Sequence, residues 1–181
     1  MKIPLPKLKA MILFFGKYTD PRLLGKVKLM KLFYFADFGH LKKYGTPITY
    51  DTYVHLEHGP IPSAIMNLVC GTGDDIDNSD LSDTIAIEID DVSRMHRIKP
   101  LREFREEEKG YFSKGELSIL VEVCKRFHSM NAKQIEEASH QEAAWRDTKP
   151  RETISYSLAL NDRDCLIDKE EMEILMKILN Y

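Results

Sequence analysis

A balance of 43% hydrophobic and 30% charged residues over 181 positions supports one good core, and fits one domain with a short appendage better than two full domains. A net charge of −3 with a pI of about 6.1 gives no general attraction to phosphate, which disfavours wholesale nucleic-acid binding. Cys70, Cys124 and Cys165 are too far apart for a zinc knuckle or a redox dithiol, and no apolar run is long enough to cross a membrane, so a reducing cytoplasm is the expected location.

Pro4 and Pro6 are expected to hold the start extended, with a first helix over residues 7–18, where Leu8, Met11, Ile12 and Phe15 have helical spacing. Asp20-Pro21 is a helix-start pair, aspartate as N-cap and proline at the first position. The helix that follows, residues 22–43, is apolar on two faces. Leu23, Val27, Met30, Tyr34, Asp37 and Leu41 fall on one stripe, and Leu29, Phe33 and Ala36 on the next. Neighbours on both sides are needed to bury such a helix, which places it at the centre. Gly45 ends it as a C′ glycine.

Residues 46–57 read as short extended structure. His58-Gly59-Pro60 reads as a rigid bend that sets a third helix, residues 61–69, against the central one. Residues 71–83, rich in glycine and aspartate, read as a surface loop. Alternating Ile85, Ile87 and Ile89, a turn at 91–93 and a second alternating run over 94–99 predict a β-hairpin. After the charge run 103–109, Ser113 and Glu116 make a capping box for a fourth helix to Phe127. Asn131 caps a fifth to Gln141, residues 148–157 are loop-like, and residues 168–179 form a final amphipathic helix. The fold class is α+β, mostly α-helical: a helical bundle around a buried central helix with a small antiparallel β-hairpin or sheet.

Chemistry-bearing patterns are sparse. Asp37 shares an apolar stripe, and a buried carboxylate needs a partner. It reads either as a catalytic or metal-binding acid or, preferably, as an acceptor for backbone amides or a histidine that fixes the start of the extended segment. His40, His55, His58 and His140 lack the tight spacing of a metal-ligand set. Cys124, among Leu117, Leu120, Val121 and Val123, reads as a buried inert thiol. The oxygen-rich run from Asp75 to Asp80 lacks the glycine and glutamate of a calcium loop, having Asp80 and Ala86 at those positions. Lys28 and Lys31 are expected on the exposed side of the central helix, with Lys26, Lys42 and Lys43 as further solvated cations. No P-loop, nucleophile elbow, dinucleotide fingerprint or zincin motif is present.

The run Lys28-Leu29-Met30-Lys31-Leu32-Phe33-Tyr34-Phe35-Ala36-Asp37 is followed by His40-Leu41 and Gly45-Thr46-Pro47-Ile48. Residues 53–57 lead into His58-Gly59-Pro60-Ile61-Pro62. Helical stretches at 117–127 and 132–138 precede Ser139-His140, Trp145 and Thr153-Ile154-Ser155-Tyr156. In this order they resemble the Panacea (SocA-like) antitoxin domain over about residues 8–160. Ile61 replaces the usual valine, and both the aspartate-rich loop and the final helix depart from the pattern. The expected division is a Panacea-like domain, 1–160, and a C-terminal helical extension, 161–181.

The resemblance implies a bacterial or phage toxin–antitoxin system. In it, a protein-binding module with no catalytic activity and no metal or cofactor neutralises a toxin encoded nearby by direct contact. In some relatives the domain also presents the toxin to a cellular protease. Two other classes stand beside this reading: a DNA-binding regulator of its own operon, acting through the basic helix, and a metal-dependent hydrolase using Asp37 and nearby histidines. The candidate partner contacts are His40, Tyr44, Tyr50, Tyr53, His58 and Trp145, because aromatic groups with a polar tip anchor interfaces. Trp145 reads equally well as a core residue packed on His140. Asp37, Gly59, Pro60 and His140 are assigned structural roles.

Overall fold

The computed structural model describes residues 3–74, 79–91 and 94–179. At its centre runs α2 (Lys26–Tyr44), with α1 (Leu5–Tyr18) beside it. Fourteen of the nineteen residues of α2 are buried, so it is enclosed on nearly all sides. Phe33 meets Phe15 of α1 edge-on, ring centroids 5.2 Å apart. Gly45 closes the helix in the left-handed conformation, φ 80°, which a residue with a Cβ adopts only under strain.

Both helix starts differ from expectation. Pro4 is the N-cap of α1 and Pro6 sits in its first turn, where a missing N–H breaks no helical bond. Helix α2 begins at Lys26, later than Asp20-Pro21 predicts. Asp20 instead folds a local turn, accepting from the Arg22 amide at 2.9 Å and from its guanidinium. Residues 24–25 are engaged by a distant strand: Ile98 N donates to Leu24 O at 2.8 Å and Gly25 bridges to Arg97. Held extended against that strand, Gly25 becomes the N-cap, its carbonyl accepting the first helical bond from Leu29 N at 2.9 Å.

β1 (Tyr53–Leu56) and β2 (Gly59–Pro62) form an antiparallel hairpin, Tyr53 opposite Pro62 and Leu56 opposite Gly59. The expected bend at Gly59-Pro60 is therefore the first half of a strand. Its prolines face the sheet edge, where no ladder donor is required. Helix α3 (Ser63–Asp74) starts two residues later than expected and runs further. Asp51 caps it, accepting from Ala64 N at 3.1 Å and Ile65 N at 2.9 Å.

β3 (Ile85–Ile89) and β4 (His96–Pro100) form the second hairpin. Positions 75–78 of the expected surface loop, and positions 92–93 of the predicted turn, lie outside the described residues. The charge run folds into a 3-10 helix, Glu106–Tyr111, anchored by Arg102 on Glu108 at 2.8 Å. α4 (Lys114–Phe127) and α5 (Ala132–His140) carry the capping boxes Ser113–Glu116 and Asn131–Gln134.

After α6 (Ala143–Arg146) the segment read as loop contributes β5 (Thr153–Ile154), which makes the sheet three-stranded in the order β2-β1-β5. A second 3-10 helix, Tyr156–Asn161, and α7 (Lys169–Leu179) complete the chain. Met172 of α7 is buried, and a Cβ on Gly45 would meet Leu175 at 2.5 Å. The chain is α+β and mostly helical around α2. Among the described residues no helix is long and apolar enough to cross a membrane.

Candidate functional site

Three lysines of α2 lie inside the protein. Lys28 and Lys31, expected on a solvated face, are fully buried, because the end of α4 and strand β2 cover the side that charge alone assigns to water. Each ammonium is held by a backbone carbonyl: Lys28 Nζ donates to His128 O at 3.0 Å and Lys31 Nζ to Pro60 O at 2.9 Å. Burial lowers both pKa values, that of Lys31 to about 7.

Gly59 lies against this lysine with φ 89°. A Cβ there would stand 2.7 Å from Ser139 Oγ and 2.9 Å from Lys31 Cε. The glycine is thus required twice, by its backbone angle and by the close approach of α2 and α5.

The third lysine, Lys42, is surrounded by carboxylates. Its Nζ lies 2.6 Å from Glu142, 3.4 Å from Asp162 and 3.0 Å from Asp164. Burial alone would lower its pKa, but Glu142, Asp164 and Asp162 outweigh that and raise it. Burial in turn raises Glu142.

Between them on the same helix, Asp37 is wholly enclosed. It accepts from Ile48 N at 2.9 Å, Thr49 N at 2.8 Å, the Thr49 hydroxyl and Tyr53 OH at 2.9 Å. Burial raises its pKa to about 6, while these donors pull it down. It pins residues 48–53 to the core and is itself 0% exposed.

His140 stacks on Trp145 with centroids 3.8 Å apart and planes 14° apart, and His55 packs on Trp145 at 4.3 Å. His55 Nδ1 lies 2.7 Å from Thr148 O. Among the described residues His140 Nε2 and Trp145 Nε1, both buried, have no hydrogen-bond partner, and burial lowers the His140 pKa. Among the described residues no group of three or more histidine, cysteine, aspartate or glutamate side chains is placed to hold a metal. Cys124 is buried, and desolvation pushes its pKa up to about 12, far from the thiolate a nucleophile needs.

The six candidate contacts separate. Tyr53 is 1% exposed and bound to Asp37, and His40 is 7% exposed with its ring nitrogen against Thr46 O. Both are core residues, a correction: Tyr53 of β1 is drawn in as a donor to the buried Asp37, and His40 sits on the enclosed helix α2. Tyr44 is 44% exposed at the end of α2, and Tyr50, half-buried with φ 55°, stands in the following loop. His58 is exposed in the β1–β2 turn, 3.3 Å from Glu136, and Trp145 is half-buried against His140 and His55. Sequence reasoning missed the roles of Lys31, Lys42 and Asp51. Their partners lie 29 residues away for Lys31 and 100 or more for Lys42, so no local signal marks them.

A family model described as Antitoxin SocA-like, Panacea domain matches residues 29–146, which spans nearly all of α2 through α6. Curated proteins and solved structures give no match.

Proposed function

We propose that this chain, which belongs to the SocA-like antitoxin family with a Panacea domain, acts in the cytoplasm as a non-catalytic module that neutralises a toxin encoded nearby by direct contact. The family match over residues 29–146 carries this reading. The arrangement of the polar groups supports it. Asp37, Lys31 and Lys42 are consumed in holding the fold, and Cys124 is buried. The operon-regulator reading rested on a basic helix whose Lys28 and Lys31 are buried, so it loses its support.

The contact surface assigned to the toxin comprises Tyr44, Tyr50, His58 and Trp145, which combine exposed or half-buried rings with polar tips. Presentation of the bound toxin to a cellular protease is a second step compatible with the same module. Residues 1–160 form the antitoxin domain, and 161–181 extend it.

Co-expression with the product of the neighbouring gene tests the reading. Growth should be restored by the wild-type protein, and a purified complex should form. Tyr44→Ala and Tyr50→Ala should weaken that complex by more than about 1 kcal/mol while melting as wild type does. Failure of the wild-type protein to bind or neutralise the product sinks the antitoxin reading. Unchanged affinity in both variants sinks only the assigned surface.

A further inference from the structure

Beside its core face, α4 carries a second apolar stripe, of which Leu117 is partly buried against the core and Val121 faces outward. One face of this helix, with Ile119, Leu120, Val123 and Phe127, is buried in the core. Leu117 and Val121, one helical turn apart, look instead into an open groove of about 400 Å³ shared with Phe14 and Tyr18 of α1 and with Lys109, Cys124 and Lys125. Val121 is 54% exposed and Tyr18 38%. Solvated positions on a surface helix are ordinarily polar, and an apolar groove open to water marks an interaction site.

Two properties of the groove define what fits it. Its walls are side-chain ridges of two helices, Phe14–Tyr18 on one and Leu117–Val121 on the other, with every backbone amide of those turns inside a helix. No strand edge is on offer, so an added β-strand has nothing to pair with. An amphipathic helix, by contrast, can lay its apolar ridge into the groove. The rim is basic: Lys109 and Lys125 line it and no carboxylate does. Lys17 stands 5.7 Å from the Tyr18 ring. Lys109 is paired with Glu106 at 2.6 Å, whereas Lys125 has no ion-pair partner among the described residues.

We infer that the groove between α1 and α4 is a second docking site, for an acidic amphipathic helix of a partner protein whose apolar face seats against Tyr18, Leu117 and Val121 and whose carboxylates meet Lys125, Lys109 and Lys17. This surface is separate from the one assigned to the toxin, and it does not depend on that reading.

The probe is a fluorescein-labelled peptide of about 18 residues, with leucine at i, i+3, i+4 and i+7 and glutamate elsewhere. A second peptide has lysine in place of every glutamate. Fluorescence anisotropy with the full chain should show saturable binding of the acidic peptide, weakened by added salt, and none of the basic one. Val121→Asp should weaken binding at least about tenfold, since it places a like charge and a desolvated carboxylate against the peptide. Lys125→Glu, at a solvated position that leaves folding intact, should weaken it severalfold.

Absence of binding overturns the inference, as does equal binding of both peptides or unaltered affinity in both variants. If sedimentation shows the peptide-free protein to be a dimer that Val121→Asp dissociates, the groove belongs to a second copy of this chain, and the acidic-helix assignment falls.

Discussion

Helix α2 buries lysines at both ends, and the two ends treat the same charge in opposite ways. Towards the start, Lys28 and Lys31 reach one backbone carbonyl each, and burial drives their pKa down. At the end, Lys42 meets Glu142, Asp162 and Asp164, and its pKa rises despite burial. A carbonyl dipole satisfies a hydrogen bond but does not neutralise an ammonium. Three carboxylates do so, and leave surplus negative charge that burial has to suppress on Glu142. The first arrangement behaves as a tolerated cost within a packed junction, the second as a clamp that ties α2 to the chain 100 residues later.

Four substitutions sharpen that contrast. The largest loss is expected from Lys42→Met, which strands the largely buried carboxylates of Glu142 and Asp162 and should cost about 3 kcal/mol in urea unfolding. A loss under about 1 kcal/mol would mean the clamp carries no net stability. Next comes Gly59→Ala, which forces a Cβ into φ 89° and against Ser139 and Lys31. It should cost about 2 kcal/mol, read as a lowered melting temperature.

Lys31→Met should leave stability at pH 7 within about 1 kcal/mol of wild type, because the lost bond to Pro60 is offset by removing a desolvated amine. Its signature is in the pH dependence. With a folded pKa of about 7 below the ordinary 10.5, the folded state binds fewer protons than the unfolded one between those values. Wild-type stability therefore rises with pH across that window, by about 1.4 kcal/mol for each pH unit of the gap. That rise should vanish in Lys31→Met; parallel curves would show that Lys31 is not a buried amine. Lys43→Ala is the smallest. This neighbour of Lys42 is paired with Glu122 in solvent, and its loss should change stability by less than about 0.5 kcal/mol in the same titration.

The elements that were legible from sequence are those whose causes lie within a few residues. The Ser113–Glu116 and Asn131–Gln134 capping boxes, the alternating isoleucines of β3 and the glycine after α2 are of this kind. The inward direction of Asp37 was also legible, because it shares a helical stripe with Met30, Tyr34 and Leu41. The side on which Lys28 and Lys31 fall was not. Periodicity assigns a face by polarity, and a lysine inside a junction has the same letter as one in water. β5 escaped for a related reason: Thr153 and Ile154 become a strand only through pairing with Val54 and Tyr53, about a hundred residues earlier.

Sequence alone settled the mostly helical class, the central position of α2 and the family resemblance, since each follows from apolar spacing or from motifs in order. Tertiary structure alone decided which charges are buried, which aromatic residues remain at the surface, and where α2 starts. Those outcomes depend on desolvation and pairing between segments far apart in the chain. Tyr53 lies in the core, where its hydroxyl donates to the buried Asp37 carboxylate, while Tyr44, of similar local polarity, stays 44% exposed at the end of α2.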